Sequence, residues 1–175
     1  MIEITTPAKN RVVIIGKLLK TEVVPGTSKE GRDYARATAL VRATQSYGDR
    51  ERITDENEIQ VSFLAMKLKK DGGANTAYKG LLELANMATA EKEGFDDADR
   101  IKISGASIQE NIFVPANSST AITTPRIQAT FFGKPSPEEE DCAIFNNDIY
   151  ILNIARETDR DGEETGRLTV RGALS

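Results

Sequence analysis

Hydrophobic and polar positions alternate most clearly between Asn10 and Thr44, and the pattern predicts one long β-hairpin. The first limb, from Asn10 to Lys20, is β-branched and nearly continuous in apolar character, as in a strand packed on both faces. The second limb, from Arg32 to Arg42, alternates strictly. Ala35, Ala37, Ala39, Val41 and Ala43 share one face, and Tyr34, Arg36, Thr38, Leu40 and Arg42 share the other. Between the limbs, Pro25 to Gly31 is rich in turn residues. One face therefore goes to a core of small residues, and the other carries a ring and cations in a row.

The same reading extends down the chain. Ser46 to Glu58 is polar and loop-like, and Asn57 to Met66 predicts a third strand with Ile59, Val61, Phe63 and Ala65 on one side. Asn75 to Thr89 predicts the helix. Thr76 is placed to cap it, Ala77, Leu81, Leu84, Ala85 and Ala88 form the apolar stripe, and Gly94 stops it. Asp99 to Ile108 predicts a fourth strand whose apolar parity shifts near Gly105, the mark of a bulge. A long loop with Asn117 to Ala121 at its tip precedes a fifth strand, Pro125 to Phe132. In that strand Ile127, Ala129 and Phe131 face inward, while Arg126, Gln128, Thr130 and Phe132 face outward.

Asn10 to Leu18, the Pro/Gly/Ser/Thr loop and the strand of small residues after it resemble the opening hairpin of bacterial and phage single-stranded DNA-binding proteins. The resemblance is strongest over about the first 45 residues. The loop is longer and more charged than the family's, and tryptophan is absent. Three strands, a helix and two strands is also the element order of the OB fold, a small barrel whose closure removes exposed strand edges. The fold class expected is all-β with one helix: a five-stranded OB barrel over residues 1–134. An acidic, proline-containing linker is expected at 135–147 and a β-hairpin at 148–175. That hairpin echoes the first, Gly166 to Gly172 repeating the outline of Gly31 to Ala37. Two readings fit it: a second OB-like unit cut early, or a hairpin added to the first barrel.

Composition narrows the chemistry. The chain has 175 residues, with charged residues at 29% and hydrophobic ones at 39%, a soluble globular balance. No apolar run approaches the ~20 residues that span a bilayer, and no secretory signal is visible, so a cytoplasmic protein with no membrane partner is expected. Histidine is absent, and the single Cys142 excludes an internal disulfide and a cysteine-based metal site. The acids of Phe95 to Asp99 fit a solvated turn better than a divalent-ion site. Hence no enzyme, no catalytic residue, no metal and no cofactor are expected. The net charge is −4, but residues 1–50 hold nine Lys/Arg against five Asp/Glu, while residues 138–175 hold four against ten. A basic binding surface joined to an acidic segment would give that asymmetry, as would two ordinary solvated faces.

Single-stranded nucleic acid needs cations along its backbone and flat groups on which bases stack. Tyr34, Arg36 and Arg42 supply both on one strand face. Lys17, Lys20, Lys29 and Arg32 belong to the adjacent strand and loop, and Lys67, Lys69 and Lys70 end the third strand. Tyr47 follows the second strand, and Phe113 and Arg126 flank the long loop. The resemblance implies single-stranded DNA as the partner, bound with little sequence preference in replication, recombination or repair. It leaves room for homo-oligomers and for replication or recombination proteins as further partners. The alternative is an OB-fold module that contacts protein and no nucleic acid.

Overall fold

The computed structural model describes residues 9–47, 53–115 and 119–174. Residues 11–145 form one compact unit; residues 9–10 with 146–174 form another. The larger unit contains β1 (Asn10–Thr27) apart from its first residue, β2 (Asp33–Tyr47), β3 (Ile53–Met66), α1 (Thr76–Leu84), α2 (Ala90–Glu93), β4 (Arg100–Phe113), β5 (Ile122–Ala129) and most of β6 (Cys142–Asn147). The smaller unit is built on a hairpin of β7 (Ile149–Thr158) and β8 (Glu164–Leu174).

Five strands close into a ring. β1 pairs antiparallel with both β2 and β4, β2 with β3, and β4 with β5, while β3 and β5 run parallel. This is an OB-type barrel, and β6 adds a sixth strand beside β1. Closure turns on β1 changing partners at Lys17, which pairs with Arg100 of β4 and Arg42 of β2. Just before it, a Cβ on Gly16 would lie 2.1 Å from the Arg42 carbonyl oxygen, so only glycine lets the two backbones approach this closely. The expected bulge lies at Gly105, where a positive φ of 75° carries β4 past the Val12/Val13 register shift.

The barrel interior is the small-residue face of β2 set against larger side chains. Ala35, Ala37, Ala39 and Val41 meet Val12, Ile14 and Leu18 of β1, Val61 and Phe63 of β3, and Ile101 and Ile103 of β4. Ala77, Leu81 and Leu84 recur at helical spacing on α1 and join the same core, with the helix packed on β2 and β3.

Several boundaries differ from the sequence reading. Asn75, rather than Thr76, caps α1, its side chain accepting from the Ala77 amide at 3.0 Å. The helix ends at Leu84 rather than Thr89, because Ala88 bonds to Asp99 through both its amide (2.9 Å) and its carbonyl (3.0 Å). A second, one-turn helix follows. The polar stretch from Ile53 to Glu58 is strand, paired with the end of β2 with Gln45 opposite Asp55, and Asp55 to Glu58 are exposed. Pro25 lies within β1, opposite Ala35. β5 stops at Ala129, so alternation lapses. Phe132 turns in against Phe63 with ring centroids 5.9 Å apart, and Phe131 is left exposed. Part of the segment expected as a linker is the strand β6, and its acids bind the barrel. Arg100 donates to Asp141 at 2.6 Å, and Lys102 pairs with Glu139. The expected loop tip at Asn117 lies partly outside the described residues.

In the smaller unit Lys9 and Asp148 bond reciprocally. The Lys9 amide donates to the Asp148 carboxylate at 2.8 Å, and the Asp148 amide donates to the Lys9 carbonyl at 2.7 Å. Among the described residues no helix is long and apolar enough to cross a membrane.

Two glycines test this packing in opposite directions. Gly16→Ala should lower stability by about 1–3 kcal/mol or more, because its methyl meets backbone that cannot move aside. Gly80→Ala, in the middle of α1 with open space around the added carbon, should raise stability by roughly 0.5–1 kcal/mol. Urea midpoints at unchanged m-value check both.

Candidate nucleic-acid interface

The outward face of β1, β2, β3 and β5 is ordered by the ladder registers. Side chains on alternate positions point out of the barrel, and paired strands bring them into cross-strand rows. One row holds Gly26, Tyr34 and Met66, the next Val24, Arg36 and Leu64, and the next Glu22, Thr38, Ser62 and Gln128. Lys20, Leu40 and Gln60 follow, and then Arg42 opposite Glu58. A groove of about 280 Å³ opens along the second and third of these rows. Its floor is Ala37 and Phe63, Val24 and Leu64 contribute exposed apolar surface, and Arg36 and Arg126 stand on its rim.

Arg36 is positioned by the ring beside it. Its guanidinium lies 5.2 Å from the centroid of the Tyr34 ring and donates to the Tyr34 hydroxyl at 3.0 Å. The phenolic end of that ring in turn lies across Gly26, where a Cβ would meet it at 2.7 Å. Tyr34 is half-buried, and the Arg36 guanidinium held beside its ring is exposed. Neither Arg36 nor Arg126 has a carboxylate partner among the described residues.

A second groove of about 490 Å³ lies where the β1–β2 turn meets the segment after β3. Arg32, Lys67, Lys69 and Lys70 surround it, and Leu68 is 57% exposed beside them. Lys67 donates to Asp33 at 3.0 Å, and Thr27 donates to the other carboxylate oxygen at 3.0 Å. The Lys67 and Thr27 hydrogen bonds hold the Asp33 carboxyl below its ordinary pKa, and Asp33 raises that of Lys67. Arg32 reaches Glu30 only at 3.7 Å. Lys69 and Lys70 have no carboxylate partner among the described residues.

Other cations singled out from the sequence are engaged elsewhere. Lys17 donates to the Phe95 and Asp96 carbonyls, both at 2.7 Å, and holds the turn before β4. Lys20 pairs with Glu91 at 2.8 Å. Arg42 is held by Glu58 at 2.5 Å and Glu56 at 3.5 Å, with the Phe95 ring 5.1 Å away. Lys29 sits exposed on the β1–β2 turn, and Phe113, 44% exposed, ends β4. Tyr47 is in β2, and its side chain lies outside the described residues. So Arg36 and Arg126 share one groove and Arg32, Lys67, Lys69 and Lys70 another. Sequence reasoning did not single out Glu22, Thr38, Ser62 or Gln128 for this site. Outward parity marked the last three, but only the register shows them in one row. Among the described residues no cluster of three or more His, Cys, Asp or Glu is placed to hold a metal.

A five-stranded OB barrel with a groove across β2 and β3 defines the class. Residues 9–174 match the family model YorF, and the chain belongs to that family. No curated protein matches the sequence. A deletion mutant of the single-stranded DNA binding protein from Thermus aquaticus superimposes with a TM-score of 0.52 at 10% identity, covering 94% of this chain and 74% of that one. A Plasmodium falciparum SSB in complex with ssDNA gives a TM-score of 0.40 at 14% identity, covering 81% of this chain and 98% of that one. The first of these likenesses shows the shared fold.

The Asp33–Lys67 pair makes a titration prediction. Because the folded-state pKa of Asp33 is lowered, the pair's contribution is present at neutral pH and fades as pH falls through that depressed value. Lys67→Met should move the Asp33 midpoint upward, toward that of an ordinary aspartate. Carboxyl-carbon NMR shifts followed against pH would show it; an unmoved midpoint would mean Lys67 is not the cause.

Proposed function

We propose that this chain binds single-stranded DNA, without catalysis, across the outer face of β2, β3 and β5. The observation that carries the reading is the pair of guanidiniums, Arg36 and Arg126, on the rim of one groove and without a carboxylate partner among the described residues. Phosphates need unneutralised cations, and a guanidinium held in place by a neighbouring ring offers a base a planar cationic group. The second groove, with Lys69 and Lys70, extends the same positive path beyond β3. DNA rather than RNA, and service in replication, recombination or repair in a bacterial or phage-infected cytoplasm, follow from the resemblance of Asn10 to Thr44. The Thermus aquaticus neighbour, itself a single-stranded DNA binding protein, supports the choice of DNA. Self-association and contacts with replication or recombination proteins belong to the same proposal.

The second reading, a module that contacts protein, is favoured by a different feature. Ile151, Leu152, Leu168 and Val170 of the β7–β8 hairpin are each more than half exposed. Such contacts would be largely insensitive to salt, whereas phosphate contacts release counterions.

Oligothymidine affinity measured over a range of salt separates the two. Arg36→Ala and Arg126→Ala should each weaken binding and reduce the salt slope by about 0.7, the contribution of one phosphate contact on a single strand. Arg42→Ala should change little, because Glu58 and Glu56 already neutralise that guanidinium. Arg36 and Arg126 variants that bind like the parent at every salt would remove this face as the DNA site.

A further inference from the structure

The row across the middle of the groove has a chemistry distinct from its rim. Glu22 pairs with Thr38, Thr38 with Ser62, and Ser62 with Gln128, so four hydrogen-bonding side chains stand in one line on four adjacent strands. With neighbouring strands ~4.8 Å apart, the line is about 14 Å long. All four line the groove, and none makes a side-chain hydrogen bond to another described residue. Arg36 lies one row away, on the side of Val24 and Leu64, and Arg126 flanks Gln128 two residues back along β5.

A carboxylate is out of place in a groove that only holds phosphates, since it repels them. It accepts hydrogen bonds through two oxygens and donates none, which suits a partner with two adjacent donors. Among the bases of an unpaired strand, guanine alone presents two such donors side by side, N1–H and the N2 amino group. Adenine and cytosine offer one amino group each. Thymine offers a single N3–H between two carbonyl oxygens, which the carboxylate repels. Guanine also carries O6 and N7, the acceptors that arginine recognises, and arginines flank the row.

We propose that Glu22, Thr38, Ser62 and Gln128 form a base-reading subsite that favours guanine over thymine in single-stranded DNA, with Glu22 as its specificity-determining residue. This rests on the single-stranded DNA reading and adds to it: the rim supplies affinity for any strand, and the row reads the edge of the base set between the arginines.

The test uses the full chain and oligothymidines of one length in which single thymines are replaced by guanine, adenine or cytosine, too sparsely for guanines to associate. Guanine replacement should tighten binding on the order of tenfold, with adenine and cytosine intermediate. Glu22→Ala should bring the ratio of guanine-containing to all-thymine affinity down to about one, and the isosteric Glu22→Gln should lose most of that ratio. Equal affinity for all four sequences in the parent would overturn the proposal and leave the DNA reading standing. So would a Glu22→Ala variant that tightens every sequence by the same factor, since the carboxylate would then act only on the backbone. Failure of every oligonucleotide to bind would overturn the DNA reading and this proposal with it.

Discussion

The close passage of β1 over β2 at Gly16 is the constraint on which the rest of the barrel depends. β1 must serve β4 with its first half and β2 with its second, and the exchange leaves no room for a side chain at the crossing. Once that contact closes the ring, no barrel strand presents both edges to solvent, and alternate residues of β2 are committed to the inside. The alanines of β2 are then explained. A small barrel shared by Phe63, Leu18, Ile101 and Ile103 and entered by Leu81 and Leu84 has space for large residues on some strands only.

The candidate site is the other half of the same commitment. Since Ala35, Ala37 and Ala39 point inward, Tyr34, Arg36 and Thr38 must point outward, and the antiparallel ladder sets Met66, Leu64 and Ser62 beside them. The parallel β3–β5 pairing brings Gln128 to the end of that row. Cations on the same face differ in what they can do. Arg36 leans on a ring and keeps its charge available, whereas Arg42, six residues on, faces the acids of the β2–β3 arm.

Much of this was legible in the sequence, because period-two alternation and a helical stripe report burial directly. The five strands, most of their inward residues, the helix and the bulge at Gly105 could be read that way, whereas Phe131 and Phe132 exchange the sides that alternation assigned them. Strand ends could not. The exposed arm from Asp55 to Glu58 is held by its partner strand rather than by burial, and β6 gives only a short signal after a run of acids. The state of each cation was equally hidden. That Lys20 meets Glu91, Lys17 meets the Phe95 carbonyl and Arg42 meets Glu58 depends on register and on a turn far away in the chain. Spacing alone made Arg36 and Arg42 look equivalent.

Single-stranded DNA is proposed to lie on the outer face of β2, β3 and β5. Amide NMR shifts of the full chain, followed while a short single-stranded oligonucleotide is added, test it most directly. The largest changes should fall at Arg36, Thr38, Ser62, Leu64 and Gln128 and extend to Lys69 and Lys70. Changes confined to the β7–β8 hairpin, or to β6 and the turn before β4, would contradict it.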